Sequence, residues 1–212
     1  MKACFFDLDG TLADTRADLA ATVNDTRKEL GLEPKGQEEI LSYVGRGAKY
    51  LLANSIPEKA EEKDKLFEIF MLHYGDHMLD SIELYPGVVE TLEELKARGW
   101  KLGVNTAKPA FATHAIIKHY NLGRFFGNAV IAGGDSTEMK PSPIPLQDCS
   151  RRMGGHLLTP EDWMVGDNWT DIKCAANAGI KSAFCSFGFG ILADSSPTVT
   201  ITSFPDLLKY LL

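Results

Sequence analysis

Phe5-Phe6-Asp7-Leu8-Asp9-Gly10-Thr11-Leu12-Ala13-Asp14-Thr15 is the stretch on which the reading of this chain turns. The run Ala3-Cys4-Phe5-Phe6 has the length and composition of a buried strand. It ends at two carboxylates two residues apart. On an extended chain, residues i and i+2 point the same way, so Asp7 and Asp9 project together beyond the strand's C-terminal end. In open α/β sheets that rim is where ligands sit. Two carboxylates side by side raise each other's pKa unless a cation lies between them. The pair therefore suits a metal site or an acid/base pair, and this spacing serves both. Gly10 lets the chain turn sharply and brings backbone N–H groups towards a ligand, and Thr11 adds a hydroxyl donor. A strand ending in an acidic turn, with Asp14 or Thr15 capping the next helix, is the competing explanation. The buried strand before the pair and the Gly-Thr after it favour the functional one.

Outward from this stretch the pattern changes twice. Residues 16–84 read as helices only: 16–30, closed by Gly31; 37–56, broken at Val44-Gly45-Arg46-Gly47; and an amphipathic 58–78. Tyr85-Pro86-Gly87 ends that segment. Helices at 88–98, 110–120, 143–153, 170–178 and 204–211 then alternate with strands at 101–105, 128–132, 163–166, 181–185 and 198–201. Alternation of this kind predicts βαβ units and a parallel sheet, an α/β Rossmann-like core into which the first strand also fits. The expected organisation is a core of residues 1–15 and 85–212 carrying an all-helical insertion, 16–84, whose ends meet near Asp7 as a lid's would.

In a parallel sheet the other strand ends converge on Asp7 and Asp9. Strand 101–105 is followed by Thr106-Ala107-Lys108-Pro109, either a hydroxyl and amides binding an anion or a capped helix start. Lys140 lies between a strand and a helix, in Met139-Lys140-Pro141-Ser142-Pro143, where the prolines restrict its position. Gly166-Asp167-Asn168-Trp169-Thr170-Asp171 sets Asp167 at a strand tip and Asp171 in the first turn of a helix. Two more acids at a rim already holding two point to a hard cation. Oxygen ligands without His or Cys favour Mg²⁺ over Zn²⁺. His73 and His77, an i, i+4 pair, lack a third ligand, and Gly188-Phe189-Gly190 is too generic to read as a phosphate loop.

Bulk composition narrows the partners. The 212 residues are 44% hydrophobic and 24% charged with a net charge of −7, which argues against nucleic acid or an anionic membrane surface. Cys4, Cys149, Cys174 and Cys185 show no C-x-x-C spacing and read as reduced thiols. No apolar run has membrane-spanning length and no leader-like segment precedes Asp7, so a cytoplasmic protein is expected, with monomer and homodimer both open.

These stretches together resemble the haloacid dehalogenase superfamily of phosphohydrolases, through Asp7-Leu8-Asp9-Gly10-Thr11, Thr106, Lys140-Pro141 and the Gly166–Asp171 run. Order and spacing match over essentially the whole chain, and the insertion resembles that family's helical C1 cap. Within the superfamily the phosphoglycolate phosphatases are most similar, through Val44-Gly45-Arg46-Gly47, Gly133-Gly134-Asp135, Lys140-Pro141-Ser142-Pro143 and Phe187-Gly188-Phe189-Gly190. The resemblance implies that Asp7 is a nucleophile forming an aspartyl-phosphate and that Asp9 protonates the leaving alkoxide and then activates water. It implies Mg²⁺ held by Asp7, the carbonyl of Asp9, Asp167 and Asp171, with Thr106 and Lys140 on the phosphoryl oxygens and Gly10, Thr11 and Ala107 lining the substrate site. Dehalogenases of the superfamily lack the second acid, which Asp9 supplies here. Family members commonly carry Thr-Asn-Lys-Pro where this chain has Thr106-Ala107-Lys108-Pro109, so any side-chain contact of that asparagine is lost while the backbone amide remains. The implied substrate is a small phosphorylated metabolite such as 2-phosphoglycolate, its carboxylate received by Arg46 and Lys49 of the cap. A sugar phosphomutase, a phosphonate hydrolase and a binding protein that no longer turns over are the alternatives on the same scaffold.

Overall fold

The computed structural model describes residues 2–211; Met1 and Leu212, the outermost residues of the expected core segments, lie outside the described residues. The chain begins with β1, Ala3–Phe6, every residue of which is buried. A short strand β2, Ala13–Asp14, leads into the helices α1 (Arg16–Glu29), α2 (Gln37–Leu41), α3 (Ala48–Ser55) and α4 (Lys63–His77), with a 3₁₀ stretch at Pro57–Glu62. Strand β3, Glu83–Leu84, returns the chain. Then follow α5 (Val88–Ala97), β4 (Lys101–Pro109), α6 (Ala110–His119), α7 (Gly123–Phe126), β5 (Val130–Gly133), α8 (Ile144–Arg152), β6 (Trp163–Gly166), α9 (Trp169–Ala178), β7 (Lys181–Cys185) and β8 (Val199–Ile201).

Six of these strands form one parallel sheet in the order β5-β4-β1-β6-β7-β8. The alternation of β1 divides the core. Cys4 and Phe6 pack with Leu92, Ile116 and Phe204 on one face, while Ala3 and Phe5 pack with Leu146, Cys149 and Cys174 on the other. A strand buried on both faces must be apolar at every position, as Ala3–Phe6 is. After β1 the chain builds outward through β4 and β5, then crosses back to place β6 on β1's other side. That reversal opens a crevice beyond the C-terminal ends of β1, β4 and β6, the topological switch point where α/β sheets bind ligands.

Helices α1 to α4 bury a separate apolar cluster, with Val23, Ile40, Leu52, Ile56 and Phe70 at its centre. The sequence pattern differs from the structure in several places. Glu83–Leu84, inside the segment read as helical only, pairs antiparallel with Ala13–Asp14. Two-residue strands have no periodicity to detect. The amphipathic helix starts at Lys63, because Pro57 opens a 3₁₀ stretch first. The final element, Phe204–Lys209, is 3₁₀ rather than α. Strand β4 continues four residues past Asn105, to Pro109, which matters below. No helix among the described residues is long and apolar enough to cross a membrane.

Candidate active site

Asp7 directly follows β1 and is 4% exposed. Its Oδ1 accepts the backbone N–H of Leu8 at 2.7 Å, and its Oδ2 lies 3.0 Å from Lys140 Nζ. The chain then turns at Gly10, with φ +73°. A Cβ there would lie 1.9 Å from Asp167 Oδ2, so only glycine permits the approach of this turn to the carboxylate at the tip of β6. Asp171 sits in the first turn of α9, where its Oδ2 accepts the N–H of Asn168 in a capping box while its Oδ1 takes Lys140 Nζ at 2.6 Å. One carboxylate thus ends a helix and fixes a lysine.

Asp7, Asp167 and Asp171, all buried, bring carboxylate oxygens within 4.8 Å of one another. Lys140 bridges two of them and leaves Asp167 without a cation among the described residues. Asp167 Oδ2 instead accepts the N–H groups of Phe189 at 3.0 Å and Gly190 at 2.7 Å. Burial pushes the Asp167 carboxyl well above its ordinary range, Asp7 and Asp171 push it further, and the two amides only partly oppose this. Burial also raises Asp171, against the pull of Lys140. Desolvation alone would lower Lys140, but Asp171 and Asp7 outweigh it and hold the ammonium charged. Three oxygen donors and one ammonium leave an excess of buried negative charge, a set that fits a hard divalent cation such as Mg²⁺.

Asp9 points elsewhere. Its Oδ1 accepts Thr15 Oγ1 at 2.8 Å and Lys108 Nζ at 2.7 Å, and its Oδ2 takes no hydrogen bond from the described residues. Lys108 is buried. Burial works against its charge, but Asp9 and Tyr74 more than compensate. Tyr74 comes from α4, and its ring centroid is 5.0 Å from Lys108 Nζ.

Between the helical insert and the strand tips lies a cleft of about 550 Å³, part of it open to solvent. Asp7, Asp9, Thr106, Ala107 and Asp167 line it, as expected. Thr106 is buried and its Oγ1 accepts the N–H of Lys108 at 3.3 Å. Lys140 lines a small neighbouring cavity with Thr106 and Ala107. Other expected residues are not on the cleft wall. Thr11 is fully buried and its hydroxyl has no partner among the described residues, because the turn at Gly10 points it into the core. Gly10 itself backs onto Asp167. Arg46 and Lys49 are exposed: Arg46 stacks 3.8 Å from the centre of the Tyr50 ring, and Lys49 Nζ sits 5.8 Å from that of Phe67. The inner face of α3 is Ala48, Leu51, Leu52 and Ser55, which turns Lys49 outward. His73 contacts Glu29 by a hydrogen bond, and His77 contacts Asp25 and Asp80, all on the helix surface.

Sequence reasoning passed over two groups. The loop Gly188-Phe189-Gly190 holds Asp167 by its amides, and Phe189 and Gly190 line the cleft. Lys108 comes into view only once β4 is seen to run on to Pro109. Thr106 and Lys108 are two residues apart on an extended strand and share a side, the same rule that joins Asp7 to Asp9.

A buried acid cluster at a switch point, beside a further carboxylate held by a lysine and a threonine, is enzymatic architecture, and the chain is a hydrolase with a Rossmann-like core. It belongs to the haloacid dehalogenase-like hydrolase family, whose model matches residues 4–185. Among its relatives, a phosphoglycolate phosphatase of Aquifex aeolicus (strain VF5) is 35% identical over 99% of this chain and 96% of its own length. Phosphoglycolate phosphatase 1 of Pseudomonas aeruginosa is 35% identical over 98% of this chain and 78% of its own length. The crystal structure of a predicted phosphoglycolate phosphatase from Haemophilus somnus 129pt superposes with a TM-score of 0.90 at 31% identity, covering 100% of this chain and 98% of that one.

Proposed function

We propose that this protein is a Mg²⁺-dependent phosphatase that hydrolyses a small 2-phosphoglycolate-like monoester through an aspartyl-phosphate on Asp7, with residues 16–84 acting as a cap. The observation that carries the reading is the division of labour between two neighbouring aspartates. Asp7 is tied to Lys140 within the acid cluster, whereas Asp9 is held away from it by Lys108 and Thr15. The names of the relatives at 35% identity support the substrate class.

Asp7, Asp167 and Asp171 would hold the metal. When bound, it supplies charge neutralisation on the transferred phosphoryl group, worth several kcal/mol in such reactions. Asp7 attacks phosphorus and the P–O ester bond breaks. Asp9 donates a proton from Oδ2 to the departing alkoxide. The same oxygen then takes a proton from water, which attacks the acyl-phosphate and releases Asp7 and inorganic phosphate. Acid/base help of this kind contributes about 10²–10⁴-fold. Lys140 keeps Asp7 aimed and offsets part of the charge at the strand tips. Phosphoryl transfer relies mostly on such positioning and neutralisation. The insert covers the cleft with Leu19, Leu51, Phe70 and Tyr74, which exclude bulk water from the acyl-phosphate.

The test is phosphate release from a panel of phosphomonoesters, with Mg²⁺ and with EDTA, for the wild type and Asp7→Asn. Metal-dependent turnover that falls by at least 10³-fold in the variant is expected. No release from any ester by the wild type, or turnover surviving Asp7→Asn, defeats the reading.

A further inference from the structure

We propose that Lys108, covered by Tyr74, is the receptor for a substrate carboxylate placed one carbon from the phosphate ester oxygen, so that the site selects 2-phosphorylated carboxylic acids. This deepens the phosphatase reading and rests on it. It replaces Arg46 and Lys49 in that role.

Lys108 is the one lysine or arginine among the described residues lining the cleft, against three aspartates there. A substrate with a second negative group entering this space meets no other protein cation. Lys108 is also a built position rather than a solvated side chain: its side chain is 1% exposed and its ammonium is fixed at 2.7 Å from Asp9. An ammonium has three N–H donors. One is committed to Asp9, and no other described acceptor takes a second hydrogen bond from Nζ. Above it, the buried Tyr74 hydroxyl makes no full hydrogen bond among the described residues and lies close enough to help hold the ammonium charged. The remaining N–H, beside an apolar wall, suits one incoming carboxylate. Leaving such a donor unmatched is costly, and pairing it with an anion is not.

Geometry then sets the distance. The ester oxygen must come within hydrogen-bond reach of Asp9, about 2.6–3.2 Å, to be protonated. In a P–O–CH₂–COO⁻ fragment the ester oxygen and a carboxylate oxygen lie roughly 3 Å apart, from ordinary bond lengths. Lys108 Nζ is one hydrogen bond from Asp9, so it is within one hydrogen bond of that carboxylate. A longer acid would carry its carboxylate past Lys108 towards Leu19, Leu51 and Phe70. A sugar phosphate would set several hydroxyls against the same wall without partners, which works against a phosphomutase.

Two measurements test this with Mg²⁺ supplied. The first is the ratio of kcat/KM for 2-phosphoglycolate to that for ethyl phosphate, in the wild type, K108M, K108R and R46A/K49A. The second is the ratio of inhibition constants for 3-phosphonopropionate and propylphosphonate, read on the wild type and K108M. In the wild type, both ratios should favour the carboxylate by about a hundredfold. K108M should bring both to within a few-fold of unity, K108R should restore part of the preference, and R46A/K49A should keep it. If the wild type turns over both esters without preferring the acid, the inference fails while the phosphatase reading stands. If K108M slows both esters equally and keeps the ratio, Lys108 acts only through Asp9 and the inference is overturned. A preference lost in R46A/K49A also overturns it. The inhibition ratio in the wild type decides the case if K108M does not fold, because absence of a carboxylate preference there refutes the proposal outright.

Discussion

Asp167→Asn should make the metal-free protein more stable while removing its response to Mg²⁺. Asp167 faces Asp7 and Asp171 with carboxylate oxygens within 4.8 Å, and Lys140 cancels the charge of only one of them. At that distance, with an effective dielectric near 20, one uncompensated pair repels by about 3 kcal/mol. Asparagine keeps an oxygen for the amides of Phe189 and Gly190, but as a neutral acceptor it loses about 1 kcal/mol of charge-assisted bonding. Once pH exceeds the raised value and Asp167 is ionised, the net gain is about 2 kcal/mol, or roughly 4–8 °C in Tm for a chain of this length, and below that pH the protonated carboxyl leaves a smaller gain. The pH dependence carries a sign as well. Burial and its neighbours hold Asp167 above its unfolded pKa, so the folded state keeps a proton that the unfolded state has released. Wild-type stability in EDTA therefore falls as pH rises from about 4 through the raised value, with a slope of at most about 1.4 kcal/mol per pH unit from this group. The variant lacks that contribution. With Mg²⁺ at a hundred times its Kd the wild type should gain about 2.7 kcal/mol and the variant almost none. Urea and thermal unfolding in EDTA and in Mg²⁺ supply the assay. A variant less stable than the wild type in EDTA, or one that Mg²⁺ stabilises equally, refutes the electrostatic account.

Two further perturbations follow from the insert. Gly45 has φ +100°, and a Cβ there would come within 2.6 Å of Asn168 Nδ2, the group that donates to Val44 O. Gly45→Ala should cost about 1–2 kcal/mol and raise KM several-fold by loosening the cap over the strand tips, as read by unfolding and steady-state kinetics; an unchanged KM would mean that this contact does not govern closure. His77 is held above its ordinary pKa chiefly by Asp80, with Asp25 adding to it, and together they outweigh burial, which pulls the other way. Its contribution is complete below about pH 6.5 and lost as pH rises through the raised value. His77→Gln should therefore cost about 0.5–1 kcal/mol at pH 5.5 and almost nothing at pH 9, and an equal cost at both would remove the ion pairs from the account.

What could be read in the sequence was what periodicity and strand-end logic report. Ala3–Phe6 announces a doubly buried strand, and the i, i+2 rule brings Asp7 and Asp9 to one cleft, although their carboxylates take different partners there. The parallel sheet then predicts that Thr106, Lys140 and Asp167 return to the same rim. What could not be read depends on long-range geometry. Lys108 was hidden because Asn105-Thr106 looks like a strand's end, while pairing with β5 carries β4 on to Pro109. The loop at Phe189 and Gly190 acts through backbone amides, which no residue type advertises. Arg46 and Lys49 suggested anion binding by charge alone, yet side-chain charge does not report direction, and both turn outward onto aromatic rings.

The ribbon of Ala13–Asp14 against Glu83–Leu84 has a consequence for how such a molecule is put together. The chain leaves and re-enters the core through two adjoining, hydrogen-bonded strands, so the ends of the intervening segment are held together at its junction with the core. Most of the loop-closure entropy of a long insertion is then met at the joint, independent of what the loop contains. A paired ribbon flexes across its plane far more readily than it shears within it, which gives the helices above it one main direction of travel, towards and away from the strand tips. The joint thus behaves as a socket. The helices of residues 16–77 keep their own apolar cluster, so their packing can vary while the aspartates below keep their places.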